Sequence, residues 1–207
     1  DAFASFYGLA RANDGRLLFM GSADADSGGD GPPNRTFHVL TSADGVEWSE
    51  GVAPFPDSSD GGMKMITPPH ATAAGFVSSV ASDDPNDPTG IVLTTDGTDW
   101  ELVADIPAPD LHLVSDGAQA VGFQIPFAVG EGGPPSLTEG APVYSSADGR
   151  TWESLGILES GNVRAATFMP DGRLLVAGSD ISECREFFCV FGPGNGAIPT
   201  VWVGTPQ

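Results

Sequence analysis

Three copies of one seven-residue motif constrain this chain more than any other feature. Ser42-Ala43-Asp44-Gly45-Val46-Glu47-Trp48 returns as Thr94-Thr95-Asp96-Gly97-Thr98-Asp99-Trp100 and again as Ser146-Ala147-Asp148-Gly149-Arg150-Thr151-Trp152, with 52 residues between successive aspartates. A β-prone run precedes each copy: Phe37-His38-Val39-Leu40, Ile91-Val92-Leu93 and Pro142-Val143-Tyr144. Asp-Gly turns the chain, because glycine accepts positive φ and the Asp side chain can accept hydrogen bonds from the amides that follow it. The Ser or Thr two residues earlier offers a hydroxyl to the same turn. The Trp three residues after the glycine starts the next strand, and its ring suits the seam between neighbouring sheets. A fixed period of this length with a Gly and Trp signature reads as a β-propeller or a related repeat array.

The remaining strands can be placed around the motif. Asp14-Gly15-Arg16-Leu17-Leu18-Phe19-Met20-Gly21-Ser22 matches Asp171-Gly172-Arg173-Leu174-Leu175-Val176-Ala177-Gly178-Ser179 at an offset of 157, three repeats. Asp116-Gly117 opens a weaker version, and Thr72-Ala73-Ala74-Gly75-Phe76-Val77 replaces it in the second repeat. Each unit thus reads as an inner strand, a turn, a second strand, a long loop, a third strand, the motif and an outer strand. The expected fold is all-β, a single β-propeller domain over 1–207 with about four four-stranded antiparallel blades near 6–53, 61–104, 110–156 and 162–207. The last unit stops after Ile198-Pro199-Thr200-Val201-Trp202-Val203, so residues 1–5 are the candidate for its outer strand. A fragment of a larger ring, or two chains sharing one ring, would meet the same pattern. Closure removes exposed strand edges.

The motif resembles the Asp-box, or bacterial neuraminidase repeat, Ser-x-Asp-x-Gly-x-Thr-Trp, in a form one residue shorter. The resemblance extends over three of the four units and is to secreted bacterial sialidase-like propellers. It implies a structural fastener on the turn between third and fourth strands, formed here by Ser42, Asp44, Gly45 and Trp48, by Thr94, Asp96, Gly97 and Trp100, and by Ser146, Asp148, Gly149 and Trp152. It also raises sialidase chemistry, which needs three arginines gripping a carboxylate, a Tyr–Glu nucleophile pair and an acid. The early Arg-Ile-Pro motif of those enzymes does not occur here, and the two tyrosines are Tyr7 and Tyr144, the second beside a box. No catalytic residue carries over.

Composition narrows the partners. A net charge of −20, with Lys64 as the lone lysine against nineteen aspartates, repels nucleic-acid phosphates. No run reaches the length of a membrane span. With no initiating Met and no signal-peptide pattern, the chain reads as processed or trimmed. Cys184 and Cys189 are too few for a metal site and spaced wider than a redox pair, so a local disulfide in a secreted or cell-surface protein is expected. Asn34-Arg35-Thr36 is a formal glycosylation sequon.

Two candidate sites follow. Asp24, Asp26 and Asp30 alternate in a glycine-rich loop, and Asp83, Asp84 and Asp87 occupy the equivalent loop of the next unit, a carboxylate pattern suited to Ca²⁺. The distal bidentate Glu of calcium loops is missing. Aligning the inner strands also puts Tyr7, Lys64, His112 and Arg164 at one position, so that the four side chains could converge in a central channel, with His112 as a proton carrier near neutral pH. His38, His70 and His112 lack metal-ligand spacing. A carboxylate pair for other glycoside hydrolysis stays open among so many aspartates. The expected function is a secreted, non-catalytic interaction or assembly module whose acidic loop face meets a protein or glycan, a cationic partner or Ca²⁺. Self-assembly into a larger ring or array is a further expectation, and a glycan-active hydrolase of the sialidase-like class is the alternative.

Overall fold

The structure, a computed structural model, describes residues 5–25, 34–54, 64–82, 89–103, 111–124, 127–128, 136–137, 140–159, 161–180 and 198–204. It is all-β. In the first sheet β1 (Ser5–Arg11), β2 (Leu17–Ala25), β3 (Asn34–Ser42) and β4 (Ser49–Glu50) pair in chain order. The second sheet holds β5 (Lys64–Ile66), β6 (His70–Ala71), β7 (Phe76–Ser82), β8 (Gly90–Thr94) and β9 (Glu101–Leu102), ordered β5-β7-β8-β9 with β6 beside β7. The third contains β10 (Leu111–Ser115) and β11 (Ala120–Gln124). A two-stranded pair, β12 (Phe127–Ala128) and β13 (Ser136–Leu137), lies between β11 and β14 (Gly140–Ser146) in the chain, and β15 (Glu153–Glu159) completes the order β10-β11-β14-β15. In the fourth, β16 (Gly161–Phe168), β17 (Leu174–Asp180) and β18 (Ile198–Gly204) pair in order. These are the four antiparallel blades of a β-propeller.

The residues fall into two compact units, 1–120 with 146–152, and 121–145 with 153–207. In the first, strand alternation is plain along β1, where Gly8 and Ala10 are buried and Leu9 and Arg11 exposed. Strand β8 is buried at every residue, so both of its faces are covered. Leu18, Met20, Val39, Phe76, Val80 and Val92 form its core, each at most 2% exposed. In the second unit β15 and β18 are mostly exposed, with Ile157 and Val201 more than 60% accessible.

Two inner strands share a defect that the repeat leaves visible. Tyr7 is skipped between the pairs Phe6–Gly21 and Gly8–Met20, and Arg164 is skipped between Val163–Gly178 and Ala165–Ala177. An extra residue of this kind is a β-bulge, which bends the strand and re-aims a side chain. In the second blade Thr67-Pro68-Pro69 interrupts the inner strand instead, since proline cannot donate to a ladder.

Candidate functional site

The three boxes fold alike, at the β3–β4, β8–β9 and β14–β15 turns. The Ser42, Thr94 and Ser146 hydroxyl oxygens accept hydrogen bonds from the amides of Gly45, Gly97 and Gly149, each at 2.8 Å. Asp44 Oδ1 accepts from Val46 and Glu47, Asp96 Oδ1 from Thr98 and Asp99, and Asp148 Oδ1 from Arg150 and Thr151, at 2.8–3.3 Å. The glycines take φ of +79°, +83° and +76°, which side chains disfavour. These amide bonds hold all three carboxyls below the ordinary aspartate range, because they stabilise the charged form.

In the first unit the box glycines also set how closely blades approach. A Cβ on Gly97 would come within 2.4 Å of Thr41 Cγ2 in the first blade, and one on Gly149 within 2.4 Å of Val77 Cγ1 in the second. The Val52 amide donates to the Gly97 carbonyl at 2.8 Å, and the Trp100 indole N–H donates to the Val52 carbonyl at 2.6 Å. Trp100 therefore fills the seam expected of it. Trp152 instead donates to Gly149 of its own box at 3.1 Å, and Trp48 is 40% exposed. Arg150 clamps Glu101 at 2.8 Å, and the Arg16 guanidinium donates to the Thr95 carbonyl while lying over the Phe76 ring.

A cleft of about 370 Å³ opens beside the first two boxes, walled by Arg16, Asp44, Glu47, Ser49, Phe76 and Asp96. That volume falls at the small end of ligand pockets, roughly 300–1,000 Å³. Its chemistry is already committed, however. Asp44 and Asp96 hold the turn amides, and Arg16 is tied to Asp14 and Thr95.

The four residues aligned on the inner strands have distinct surroundings. The Tyr7 hydroxyl lies 3.4 Å from Ser22 Oγ, and its ring stacks on Phe37 at 5.9 Å, both in its own blade. Arg164 is exposed in the second unit, at the bulge equivalent to that of Tyr7. Lys64 pairs with Ser82, which stands in line with Ala23 rather than with the Tyr7 bulge, and its side chain lies outside the described residues. His112 is exposed on β10, and partial burial of its ring lowers the pKa of its imidazole. It has an unexpected neighbour in His70, whose imidazole is pushed down to about 4 by burial first and by His112 second. The sequence signal for that meeting was faint: the Pro68-Pro69 interruption and one titratable residue directly after it.

Asp24 is the next-to-last residue of β2 and is described by its backbone alone. Asp26, Asp30, Asp83, Asp84, Asp87, Cys184 and Cys189 lie outside the described residues. Residues 1–4 do too, and Ser5 opens β1 of the first blade. Among the described residues no group of three or more His, Cys, Asp or Glu side chains could hold a metal ion. No helix among them is long and apolar enough to cross a membrane.

No protein-family model matches the chain, and no curated protein matches it. Solved structures do. A glycosyl hydrolase from Bacteroides ovatus is 14% identical with a TM-score of 0.43, over 88% of this chain and 62% of its own. A structure from the GH130 family of mannoside phosphorylases, described as containing hydrolases that target β-1,2 mannosidic linkages in Candida mannan, gives 13% and 0.44 over 88% and 62%. The Bombyx mori GH32 β-fructofuranosidase gives 13% and 0.46 over 99% and 46%. The chain thus spans under two thirds of each of these proteins, and at such scores the likeness carries no argument about chemistry.

Proposed function

We propose that this chain is the propeller of a secreted or surface-exposed glycan-active protein, of the glycoside-hydrolase class. The observation that carries the reading is the threefold box: one hydroxyl and one carboxylate oxygen capture three turn amides in the same way at 52-residue intervals. This hydrogen bonding supports the reading of the turns as the fastener that the resemblance to sialidase-like propellers implies. It engages the carboxylates at the box turns and leaves chemistry to the loops between second and third strands.

Those loops carry the acidic sequences Asp24–Asp30, Asp83–Asp87 and Glu131–Glu139. Glycoside hydrolysis requires two carboxylates about 5–10 Å apart, one to protonate the leaving oxygen and one to act as base or nucleophile. Sialic acid as substrate is disfavoured, because the arginine triad and the Tyr–Glu pair have no counterparts in the sequence. A neutral or cationic glycan suits an acidic chain better than an anionic one. Glycoside hydrolysis is also the activity named for the structural neighbours, and it comes to this chain only as part of this proposal.

Incubation with a panel of α- and β-linked oligosaccharides, with and without Ca²⁺, tests the reading through release of new reducing ends. Turnover of at least one neutral linkage is expected. Binding without turnover would return the chain to a non-catalytic interaction module, and the absence of both binding and turnover would overturn the glycan reading.

A further inference from the structure

We propose that the chain associates with a second copy of itself head to tail, the open face of the fourth blade in one copy packing on the open face of the first blade in the other. The geometry begins with two strand pairs that the 157-residue offset makes equivalent, β1–β2 in the first blade and β16–β17 in the fourth. In the first blade Gly8, Ala10, Leu18 and Met20 are buried, whereas Leu9 and Arg11 are exposed and Leu17 and Phe19 partly so. In the fourth blade the order is reversed. Leu174 and Val176 are buried, Ala165 and Thr167 are exposed at the places of Gly8 and Ala10, and Leu175 and Ala177 are partly exposed at those of Leu18 and Met20. Val39 and Val201 stand at one register position, opposite Met20 and Ala177, yet Val39 is 1% exposed and Val201 62%. Side chains alternate between the two faces of a strand, so opposite faces are open in the two blades.

The filled seam of the first unit shows what each open face is shaped to meet. There Leu18, Met20 and Val39 of the first blade share one core with Phe76, Val80 and Val92 of the second. A Cβ on Gly97, the second blade's box glycine, would meet Thr41, Leu18 and Val39 of the first. The first blade's own box glycine, Gly45, has only Leu17 of its own blade within reach. Trp48, the counterpart of Trp100, is exposed, as are Phe6 and Leu9. The first blade therefore presents, unfilled, the half of the seam that the second blade presents to it. The fourth blade presents the other half, with Val201 and Val203 in the places of Val39 and Thr41.

A chain that carries both halves of one seam is complementary to its own copy, and head-to-tail contacts close into rings or run on as open arrays. Apolar surface removed from water supplies the drive. The net charge of −20 on each chain opposes the encounter at low salt, so association strengthens as salt screens it.

Sedimentation equilibrium of the intact chain at high salt, over rising concentration, tests the contact. The mass should pass from one chain to two or more, and Val201→Lys or Leu9→Lys alone should weaken association by about thirtyfold or more. Both substitutions reduce the net negative charge, so added repulsion cannot account for the loss. Mixing the two variants separates head-to-tail packing from a face that meets its own copy. The Leu9→Lys chain keeps an intact fourth blade and the Val201→Lys chain an intact first blade, so the mixture should associate through one intact contact where each alone does not. Should either variant fail to fold, Leu9→Ala and Val201→Ala take their places, with a loss of about tenfold expected. A single-chain mass at every concentration contradicts the proposal. So does association that the substitutions leave unchanged, or a mixture no stronger than its components.

Discussion

The turns Asp14-Gly15-Arg16 and Asp171-Gly172-Arg173 are built alike and used differently. In both, the aspartate accepts the arginine amide at 3.1 Å and the arginine Nε at 2.7–2.9 Å, and the glycine takes a positive φ of +94° or +81°. Arg16 then extends to the next blade, donating to the Thr95 carbonyl and covering Phe76. Arg173 gives both its Nε and NH2 to Asp171. The local turn is written in three residues, whereas the seam contact depends on what the next blade supplies. One sequence motif can therefore close a turn in one place and join two blades in another.

That contrast can be broken in graded steps. The largest effect is expected at the box glycine in the seam. Gly97→Ala must place a side chain at positive φ and within 2.4 Å of Thr41, so urea unfolding should show a loss of about 2–5 kcal/mol. Gly172→Ala meets nothing within 4 Å and should lose about 1–2 kcal/mol from backbone strain alone. Equal losses would mean that the seam crowding is relieved by a shift of Thr41. Next comes Thr94→Val, which leaves the Gly97 amide without its acceptor in a buried setting and should cost about 1–3 kcal/mol by the same measurement.

Smaller still, Arg16→Ala removes a half-exposed interblade bond and should cost about 1 kcal/mol. Arg173→Ala should leave the melting temperature unchanged, since its partner is an exposed aspartate two residues away. A shift for Arg173 as large as that for Arg16 would erase the distinction between seam and turn. The box aspartates set the acid limit. Their carboxyls are lowered from 3.8, so their contribution is present above that pH and is lost as the pH falls below it. Asp96→Asn should flatten this acid-limb loss in a pH series of melts.

Where the chain's own neighbours make the structure, the sequence was a good guide. The 52-residue boxes, the Asp-Gly turns and the 157-residue match between first and last units located strands and turns, because each rests on φ and on hydrogen bonds to amides two or three residues ahead. Register was harder. Tyr7 and Arg164 share a bulge, as the offset between their units implies, but Lys64 pairs with Ser82, three residues before the matching point of its own strand. Strand β6, which carries His70, packs beside β10, which carries His112 some forty residues on, and no local pattern encodes that neighbourhood. The acidic loops proposed for chemistry could be read as composition only, since carboxylate geometry depends on long-range loop placement.

The most direct measurement is isothermal calorimetry of the intact chain against neutral saccharides, repeated with Thr94→Val under conditions where that variant is folded. The expected result is heat with at least one saccharide and an unchanged Kd in the variant, because the box fastens the blades while recognition belongs to the loops. Absence of heat with every saccharide, or binding lost from a folded Thr94→Val chain, would contradict the account.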